Sequence, residues 1–316
     1  MLCIGNAIVD VFAPDKGYLI SSKYGIEDPV QHVDITKLKA LKNELNDYTQ
    51  VSGGGSANAA KIAGFMGIRT CFIGSIGEDE EGEFFERSLA ESGVELLLKK
   101  AGLPTGLCLY LEGGEGRTRI AASPSAAIEL SLQDICEEAI AKASIVLIDG
   151  FMLMRPGLVE TCIELAEKNG IICAIDLSSK EIAERYAPEI LEKTENELIL
   201  FMNEDEAAVF EGKIKSSSLL SLTKERPLLK ITVKLGPKGS IVYSEGESFF
   251  AETKAIIPKN TVGAGDAFCG AFLSGLLRGK SLYDSAALAN RAAGMVLGVY
   301  GTGINALYNG GESLWL

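Results

Sequence analysis

Histidine and paired cysteines are scarce in this chain, and their scarcity excludes several kinds of chemistry. His32 is the single histidine among 316 residues. A Ser-His-Asp triad would depend on that one side chain, and a histidine-rich zinc site is not available. The seven cysteines are scattered through apolar segments with no Cys-x-x-Cys pair. We interpret them as reduced core thiols of a cytoplasmic protein, because neither a disulfide framework nor a cysteine metal site fits that distribution.

Long apolar runs and an excess of positive charge are also lacking. No segment approaches the ~18 apolar residues that a membrane-spanning helix needs. The first residues lack the basic segment and apolar stretch of a signal peptide. The formal net charge of -13 disfavours nucleic acid and anionic membranes as partners. Any phosphate site must therefore be local, built from backbone N–H groups and a few cations.

Short apolar runs alternate with helical patterns along most of the chain. The predicted strands are Leu2–Val9, Thr70–Gly74, Ser144–Ile148, Ile171–Ile175, Leu198–Phe201 and Leu228–Val233. The predicted helices are 55–66, 79–92, 131–142, 156–169, 179–193, 203–210, 264–278 and 281–298, with a hairpin at 243–251. This order predicts an α/β protein with three layers, in which helices cover both faces of a mostly parallel sheet. We expect one domain over residues 1–316.

Two segments interrupt the alternation, at about 11–34 and 95–122. The second contains a hairpin signal, in which Cys108–Glu112 and Arg117–Ala121 flank the turn Gly113-Gly114-Glu115-Gly116. We predict that the two segments form a small sheet, a lid beside the open end of the main sheet. A surface hairpin without a function is the alternative.

An anion-binding helix start precedes the apolar pattern at 264–278. Gly263, Ala264 and Gly265 can bring backbone N–H groups close to a ligand, and the helix dipole there favours negative charge. Asp266 follows directly, where a carboxylate could take a proton from an attacking hydroxyl while the N–H groups hold a phosphoryl group. A turn with a first-turn aspartate, free of any catalytic role, is the alternative.

A second glycine cluster, Gly53-Gly54-Gly55, opens the helix that carries Asn58. The backbone there could approach a ligand, and Asn58 offers both a donor and an acceptor to hydroxyl groups. The cluster matches neither Gly-x-Gly-x-x-Gly nor the Gly-Lys-Ser/Thr ending of a P-loop, which disfavours dinucleotide and Walker-type sites. Asp10, which ends the first predicted strand, is well placed to bind substrate hydroxyls. A lone aspartate at a strand end is more often a turn residue, and only the combination with the glycine clusters favours a binding role.

Taken together, these motifs resemble those of the ribokinase-like carbohydrate kinases, the PfkB family that includes adenosine kinases. The resemblance spans nearly the whole chain. It rests on Gly53–Asn58, Gly74–Gly82, Asn203–Glu206, Leu235–Gly239 and Asn260–Asp266, which match five family motifs in the right order. Gly5–Asp10, Thr105–Cys108 and Ile175–Ser178 look like the bacterial adenosine-kinase-like branch.

The resemblance implies ATP-dependent phosphorylation of a primary hydroxyl on a sugar or nucleoside. Asp266 would be the general base, and Gly263, Ala264 and Gly265 would form the anion hole. The substrate would be held by Asp10, Gly53, Gly54 and Asn58. ATP would lie along Lys234, Gly236, Gly239 and Asn290. Mg²⁺ or its waters would be oriented by Asn203 and Glu206, unless that pair simply caps a helix.

Asn260 departs from the family pattern, which usually has aspartate at that position. The acid commonly helps to bind an activating monovalent cation; asparagine keeps a carbonyl oxygen but loses the charge, which weakens the case for K⁺.

Lys234 also replaces a small hydroxyl residue; its ammonium could reach an ATP phosphate or solvent. Arg117 and Arg119 could contact substrate from the lid or do nothing specific. The resemblance further implies a possible homodimer through the lid.

Two other classes of function fit the sequence less well than a kinase. A non-catalytic ligand-binding or regulatory protein on the same fold would not need the intact Gly-Ala-Gly-Asp element. An unrelated doubly wound enzyme such as a dehydrogenase would need Gly-x-Gly-x-x-Gly after the first strand, and the chain lacks it. The sequence therefore favours a small-molecule kinase.

Overall fold

The computed structural model describes residues 1–114, 117–193, 196–254 and 256–302. Within these residues a large sheet holds the strands β1 (Leu2–Ile4), β5 (Thr70–Gly77), β6 (Val94–Ala101), β9 (Ile145–Asp149), β10 (Ile172–Asp176), β11 (Leu198–Asn203), β12 (Leu229–Lys234), β13 (Ser240–Ser244) and β14 (Glu247–Ala251). A smaller sheet holds β2 (Ile8–Pro14), β3 (Val30–His32), β4 (Thr49–Gly53), β7 (Gly106–Gly114) and β8 (Arg117–Ser123).

The large sheet is parallel except at one edge. Its order is β14-β13-β12-β11-β10-β9-β1-β5-β6, and only β13 and β14 run antiparallel to their neighbours among the described strands. The carboxyl ends of β9, β10, β11 and β12 therefore lie side by side, which is where open parallel sheets bind ligands.

Helices cover both faces of the large sheet, which confirms the predicted three layers. The described helices are α1 (Leu19–Lys23), α2 (Ile35–Glu44), α3 (Gly55–Phe65), α4 (Glu80–Ala90), α5 (Glu137–Ala141), α6 (Leu158–Lys168), α7 (Lys180–Lys193), α8 (Glu204–Glu211), α9 (Leu219–Glu225), α10 (Ala264–Leu277) and α11 (Leu282–Val296). Alternate strand residues enter opposite cores. Cys3 lies in the core shared with α3, α10 and α11, whereas Leu2 and Ile4 lie in the core shared with α6, α7 and α8.

The first predicted strand, Leu2–Val9, is wrong, because the chain changes sheets within it. β1 ends at Ile4, and the chain resumes as β2 from Ile8 in the small sheet. The apolar pattern is continuous, yet Gly5 and Asn6 interrupt the strand. A Cβ at Gly5 would lie 2.2 Å from Ser56 Oγ, so only glycine allows the chain to turn here. Asp10 consequently sits inside the small sheet, and not at the end of the first strand of the large one.

The residues that form the small sheet differ in two places from the lid segments predicted at 11–34 and 95–122. Val94–Ala101 pairs with β5 in the large sheet, and Thr49–Gly53 supplies a strand of the small sheet beside β2. The predicted hairpin of β7 and β8 is present, although Glu115 and Gly116 of its turn lie outside the described residues.

The helix predicted at 131–142 is a 3₁₀ turn at Leu132–Asp134 followed by α5, because Ile135 and Cys136 are extended between them.

One face of the small sheet is already covered within the chain. Val9, Val11, Leu107, Leu109 and Leu111 are buried in the core that also contains Leu38 and Leu41 of α2. The opposite face carries Asp10 and Phe12 of β2, with Cys108 and Tyr110 as their partners in β7. A homodimer formed through the face that α2 covers would therefore have to displace that helix. The predicted homodimer stays a prediction.

Candidate active site

Asp266 lies in the first turn of α10, three residues after the N-cap glycine, Gly263. Gly263 has a φ of 83°, and a Cβ there would lie 2.8 Å from Thr302 Cγ2. Asn58 Nδ2 donates to Asp266 Oδ2 across 2.8 Å. Burial raises the pKa of Asp266 to about 7, although the hydrogen bond from Asn58 opposes the shift. A carboxylate with this pKa is suited to general-base catalysis near neutral pH.

The predicted anion hole has backbone N–H groups that are open or only weakly hydrogen-bonded. The N–H groups of Gly263 and Gly265 find no acceptor in the described chain, and that of Ala264 meets only Thr261 O at 3.4 Å. Lys234 Nζ would be 3.3 Å from a Cβ at Gly265, so a cation lies beside these donors. The helix start thus combines open N–H groups, a helix dipole and an ammonium, which together favour an anion.

Asp10 approaches the site from the small sheet. Only 4% of its surface is exposed. Burial is the main reason that the pKa of Asp10 is raised to about 7, and the negative charge of Asp266 adds to it. A Cβ at Gly53 would lie 2.2 Å from Asp10 Oδ2, and one at Gly54 would lie 2.0 Å from Asn6 O. The glycine cluster is therefore required where the backbone passes against these groups.

Asn58 has a role that sequence reasoning did not assign. Its Nδ2 donates to Asp266 and its Oδ1 accepts from Thr302 Oγ1 at 2.6 Å. Both amide ends are thus engaged with protein, and a contact of the second N–H of Nδ2 with a substrate hydroxyl stays a prediction. The predicted substrate residue also orients the predicted base.

Two further carboxylates that were not predicted as site residues end neighbouring strands of the large sheet. Asp149 ends β9, accepts hydrogen bonds from Phe151 N at 3.0 Å and Ser178 Oγ at 3.2 Å, and is buried. Burial raises the pKa of Asp149 to about 6. Asp176 ends β10 and pairs with Lys234. A Cβ at Gly55 would lie 3.6 Å from Asp149 Oδ2 and 3.4 Å from Asp266 Oδ1, so both carboxylates face that glycine.

Sequence reasoning also missed two basic residues that lie near the predicted substrate-binding residues. Lys61 of α3 is 2% exposed and donates to Ser52 Oγ at 3.0 Å. Burial lowers the pKa of Lys61 to about 8, against the charges of Asp10 and Asp266. Arg155 donates to Asn6 Oδ1 at 2.7 Å. Nothing local marks either residue, because Asn6 is remote in sequence from Arg155, and Asp10 and Asp266, whose charges act on Lys61, are remote from it.

The residues predicted to line ATP gather at the turn after β12. Gly236 and Gly239 have φ values of 56° and 112°. A Cβ at Gly239 would lie 2.1 Å from Ala251 O, the same oxygen that accepts a hydrogen bond from Asn290 Nδ2 at 2.9 Å. Gly239 and Asn290 therefore meet at the end of β14, and their contact with ATP stays a prediction.

Asn203 and Glu206 form a reciprocal cap at the start of α8. Asn203 Oδ1 accepts from Glu206 N at 2.9 Å, while Glu206 Oε2 accepts from Asn203 N at 3.0 Å. Asn203 Nδ2 also donates to Glu206 Oε1 at 2.8 Å. Over the described ranges, no group of three or more His, Cys, Asp or Glu side chains could hold a metal ion. The helix-cap alternative is thus present, and a magnesium role for the pair remains a prediction.

Asn260 and Arg119 are both engaged within the protein. Asn260 Oδ1 accepts a hydrogen bond from Val262 N at 2.7 Å. Arg119 Nη1 donates to Ile26 O at 2.7 Å and its guanidinium lies 4.1 Å from the centre of the Tyr18 ring. Arg119 therefore links the segment before α2 to the small sheet.

Comparison with known proteins gives the family of this chain. Residues 26–307 match the pfkB family carbohydrate kinase profile. The chain belongs to the pfkB family of carbohydrate kinases. This pfkB kinase is 27% identical over 265 residues to the 5-dehydro-2-deoxygluconokinase of Bacillus licheniformis, covering 79% of this chain and 82% of that protein. The resemblance to PfkB kinases predicted from the motifs is confirmed.

Solved structures give the same family fold. The adenosine kinase of Sinorhizobium meliloti is 26% identical, with a TM-score of 0.82 over 95% of this chain and 94% of that one. A probable sugar kinase from Rhizobium etli CFN 42, 23% identical, has a TM-score of 0.82 over 98% of both chains. Kinases of this family use ATP, typically with Mg²⁺. None of the helices described for this pfkB kinase is long and apolar enough to cross a membrane.

Proposed function

We propose that this protein transfers the γ-phosphoryl group of ATP to a primary hydroxyl of a nucleoside or sugar, with Asp266 as the general base. The observation that carries the proposal is the environment of the Asp266 carboxylate. Asn58 holds Oδ2, while Oδ1 accepts no hydrogen bond from the described residues and faces Gly55. One oxygen is fixed and the other is open, at the start of a helix whose N–H groups favour an anion.

The proposed reaction follows from these positions. Asp266 Oδ1 accepts the proton of the substrate hydroxyl as its oxygen forms a bond to the γ-phosphorus. The bond between that phosphorus and its bridging oxygen breaks, and ADP leaves with the oxygen. The backbone N–H groups of Gly263, Ala264 and Gly265 stabilise charge on the transferring group, and the ammonium of Lys234 lies beside them. Asp10 holds the substrate hydroxyls from the small sheet.

The cation requirements follow from the side chains at hand. Mg²⁺ bound to the phosphates of ATP neutralises their charge. Asn203 and Glu206 would hold it or its waters, since among the described residues each oxygen of the Glu206 carboxylate accepts one hydrogen bond and retains acceptor capacity. Asn260 has no carboxylate, and its Oδ1 is already bonded to a backbone N–H. We therefore propose that K⁺ has little effect.

Among acceptors, the inner face of the small sheet favours a nucleoside over a gluconate-type substrate. Phe12 stacks on Tyr110 with ring centres 4.6 Å apart, and Tyr300 stacks on Phe12 at 4.8 Å. Phe12 and its β7 partner Tyr110 lie on the face of the small sheet that carries Asp10. Aromatic side chains suit a planar base. Arg119, a cation that could have bound a carboxylate, is committed to Ile26 O and the Tyr18 ring.

The test is an ADP-release assay with ATP and Mg²⁺, run with and without K⁺ on nucleosides, neutral sugars and 5-dehydro-2-deoxygluconate. We expect turnover with a nucleoside and at most a small effect of K⁺. Turnover confined to the gluconate-type acceptor would contradict the substrate class but keep the chemistry. Tight binding of a panel member without ADP release would support a non-catalytic binding protein instead.

A further inference from the structure

Thr302 lies at the end of a continuous hydrogen-bonded line that leads to the predicted base. Its Oγ1 donates to Asn58 Oδ1 at 2.6 Å, and Asn58 Nδ2 donates to Asp266 Oδ2 at 2.8 Å. Thr302 is fully buried and Asn58 is 2% exposed. Water therefore has little access to either hydrogen-bonding group, and the protein itself must supply their partners.

The direction of this line is fixed by chemistry. An ionised carboxylate can only accept, so the amide must present its Nδ2 to Asp266 and its Oδ1 to Thr302. Thr302 must then act as a donor. Without that hydroxyl, Asn58 Oδ1 would be a buried acceptor lacking a partner, which is costly. Rotation of the amide away from Asp266, towards another donor for Oδ1, would then lower the free energy of the folded protein.

The backbone around Thr302 is held in place by its neighbours, so the hydroxyl is not free to drift. Thr302 Cγ2 closes over Gly263, where a Cβ would lie 2.8 Å from it. Gly301 has a φ of 55°, and a Cβ there would meet Val51 Cγ2 at 2.7 Å. Tyr300 stacks on Phe12 of the small sheet. Residues 300–302 thus touch the small sheet at one end and the start of α10 at the other.

We propose that Thr302 is a positioning residue for Asp266, which it holds in its reactive orientation by fixing the Asn58 amide. The inference rests on the proposed function, because it assumes that Asp266 is the base. Thr302 itself touches neither the reacting hydroxyl nor the phosphoryl group in this scheme. Its effect is carried entirely by Asn58.

The test compares Thr302→Val, which removes the hydroxyl at nearly constant volume, with Thr302→Ser, which keeps it. We expect Thr302→Val to lower kcat by about ten- to hundredfold, as for a small misplacement of a catalytic group. The pKa of Asp266, read by carboxyl carbon NMR and from the pH dependence of kcat, should rise because the Asn58 hydrogen bond is weakened. Thr302→Ser should restore both quantities to near wild-type values.

Thr223→Val is the matched control, because Thr223 is also fully buried and donates its hydroxyl to Leu220 O, away from the site. It should leave kcat and the Asp266 pKa unchanged. If Thr302→Val keeps the wild-type pKa and kcat, or if Thr302→Ser loses as much as Thr302→Val, the positioning role is wrong. Failure of the proposed function has a different signature. Asp266→Asn would then remain active, whereas the NMR titration of Asp266 would still respond to Thr302→Val.

Discussion

Lys234 and Asp176 form an ion pair across one intervening strand of the large sheet. Lys234 Nζ lies 2.9 Å from Asp176 Oδ1 and 3.1 Å from Oδ2, with β11 between the two strands that carry them. Burial opposes the charge on the lysine, but the neighbouring acidic groups, Asp176 foremost and Glu206 among them, together outweigh it and raise the pKa of Lys234 above its usual range. Lys234 therefore remains a fixed cation beside Gly265, and does not extend into solvent.

Removing the lysine should cost both stability and ATP affinity. Lys234→Met leaves the partly buried Asp176 carboxylate, whose side chain is 13% exposed, without its cation, and we expect a loss of up to about 3 kcal/mol in the free energy of unfolding. The double variant Lys234→Met with Asp176→Leu should regain most of that stability, whereas the KM for ATP should stay raised in both. Denaturant titration and ATP kinetics measure the two effects.

The exposed pair of Lys213 and Glu184, 3.0 Å apart, provides the control for this experiment. Lys213→Met should cost less than about 1 kcal/mol. A wild-type KM for ATP in the Lys234 variants would show that this cation does not contact ATP.

The pair of Asn203 and Glu206 can be tested for capping and for magnesium separately. Asn203→Ala should lower the free energy of unfolding by about 1 kcal/mol, because the N-cap acceptor is lost, whereas Asn203→Ser retains an acceptor and should cost less. If the pair also orients Mg²⁺, both variants should raise the Mg²⁺ concentration that gives half-maximal activity. An unchanged Mg²⁺ requirement in both variants would reduce the pair to a helix cap.

Burial of Asp10 should make the protein less stable as the pH rises. Because the folded pKa of about 7 lies above the value of 3.8 for an unperturbed aspartate, the folded state binds the proton more tightly. This stabilising contribution is complete below pH 4 and is lost as the pH rises towards 7. Asp10→Asn should therefore raise the free energy of unfolding at pH 8 by about 1–3 kcal/mol.

Denaturant titrations at pH 5 and pH 8 measure this difference, which should be smaller at pH 5. The variant should at the same time bind substrate more weakly. Equal stability of the wild type and Asp10→Asn at pH 8 would mean that the carboxylate is not strained by burial.

Local signals in the sequence were sufficient for the helix start and the layers. Glycine at 263 and 265 followed by an apolar helical pattern identified α10 and placed Asp266 in its first turn, because capping and periodicity act over a few residues. The change of sheet between Ile4 and Ile8 was hidden by a continuous apolar pattern. Gly5 and Asn6 were the available signal for that break.

Partners that are remote along the chain could not be predicted. Asn58 is separated from Asp266 by 208 positions and from Thr302 by 244. Such contacts depend on how α3, α10 and the segment after α11 pack, and no local pattern reports that packing. Asp149 and Asp176 are an intermediate case. They stand at the ends of strands that were predicted, where ligand-binding side chains of open sheets are expected.

The rate of the reaction should depend on pH in a way that reflects Asp266. A general base must be deprotonated, so kcat/KM should rise with pH through an apparent pKa of about 7, the value for Asp266 in the protein without substrate. The pKa of Asp10 is raised into the same range, so the rise of kcat/KM should be steeper than that of a single titrating group. Steady-state kinetics from pH 5 to pH 9 measure this dependence. A flat kcat/KM across this range would contradict a base with this pKa.

The most direct test of the account is turnover by Asp266→Asn with ATP and the best acceptor from the substrate panel. Asparagine keeps an oxygen for the Asn58 hydrogen bond but cannot take the proton. Glu80→Gln, at an exposed first-turn position of α4, is the matched control and should behave as wild type. The account predicts that kcat of Asp266→Asn falls by about 10² to 10⁴, while the dissociation constant of ATP changes only a few-fold. Near-normal turnover by Asp266→Asn would contradict it.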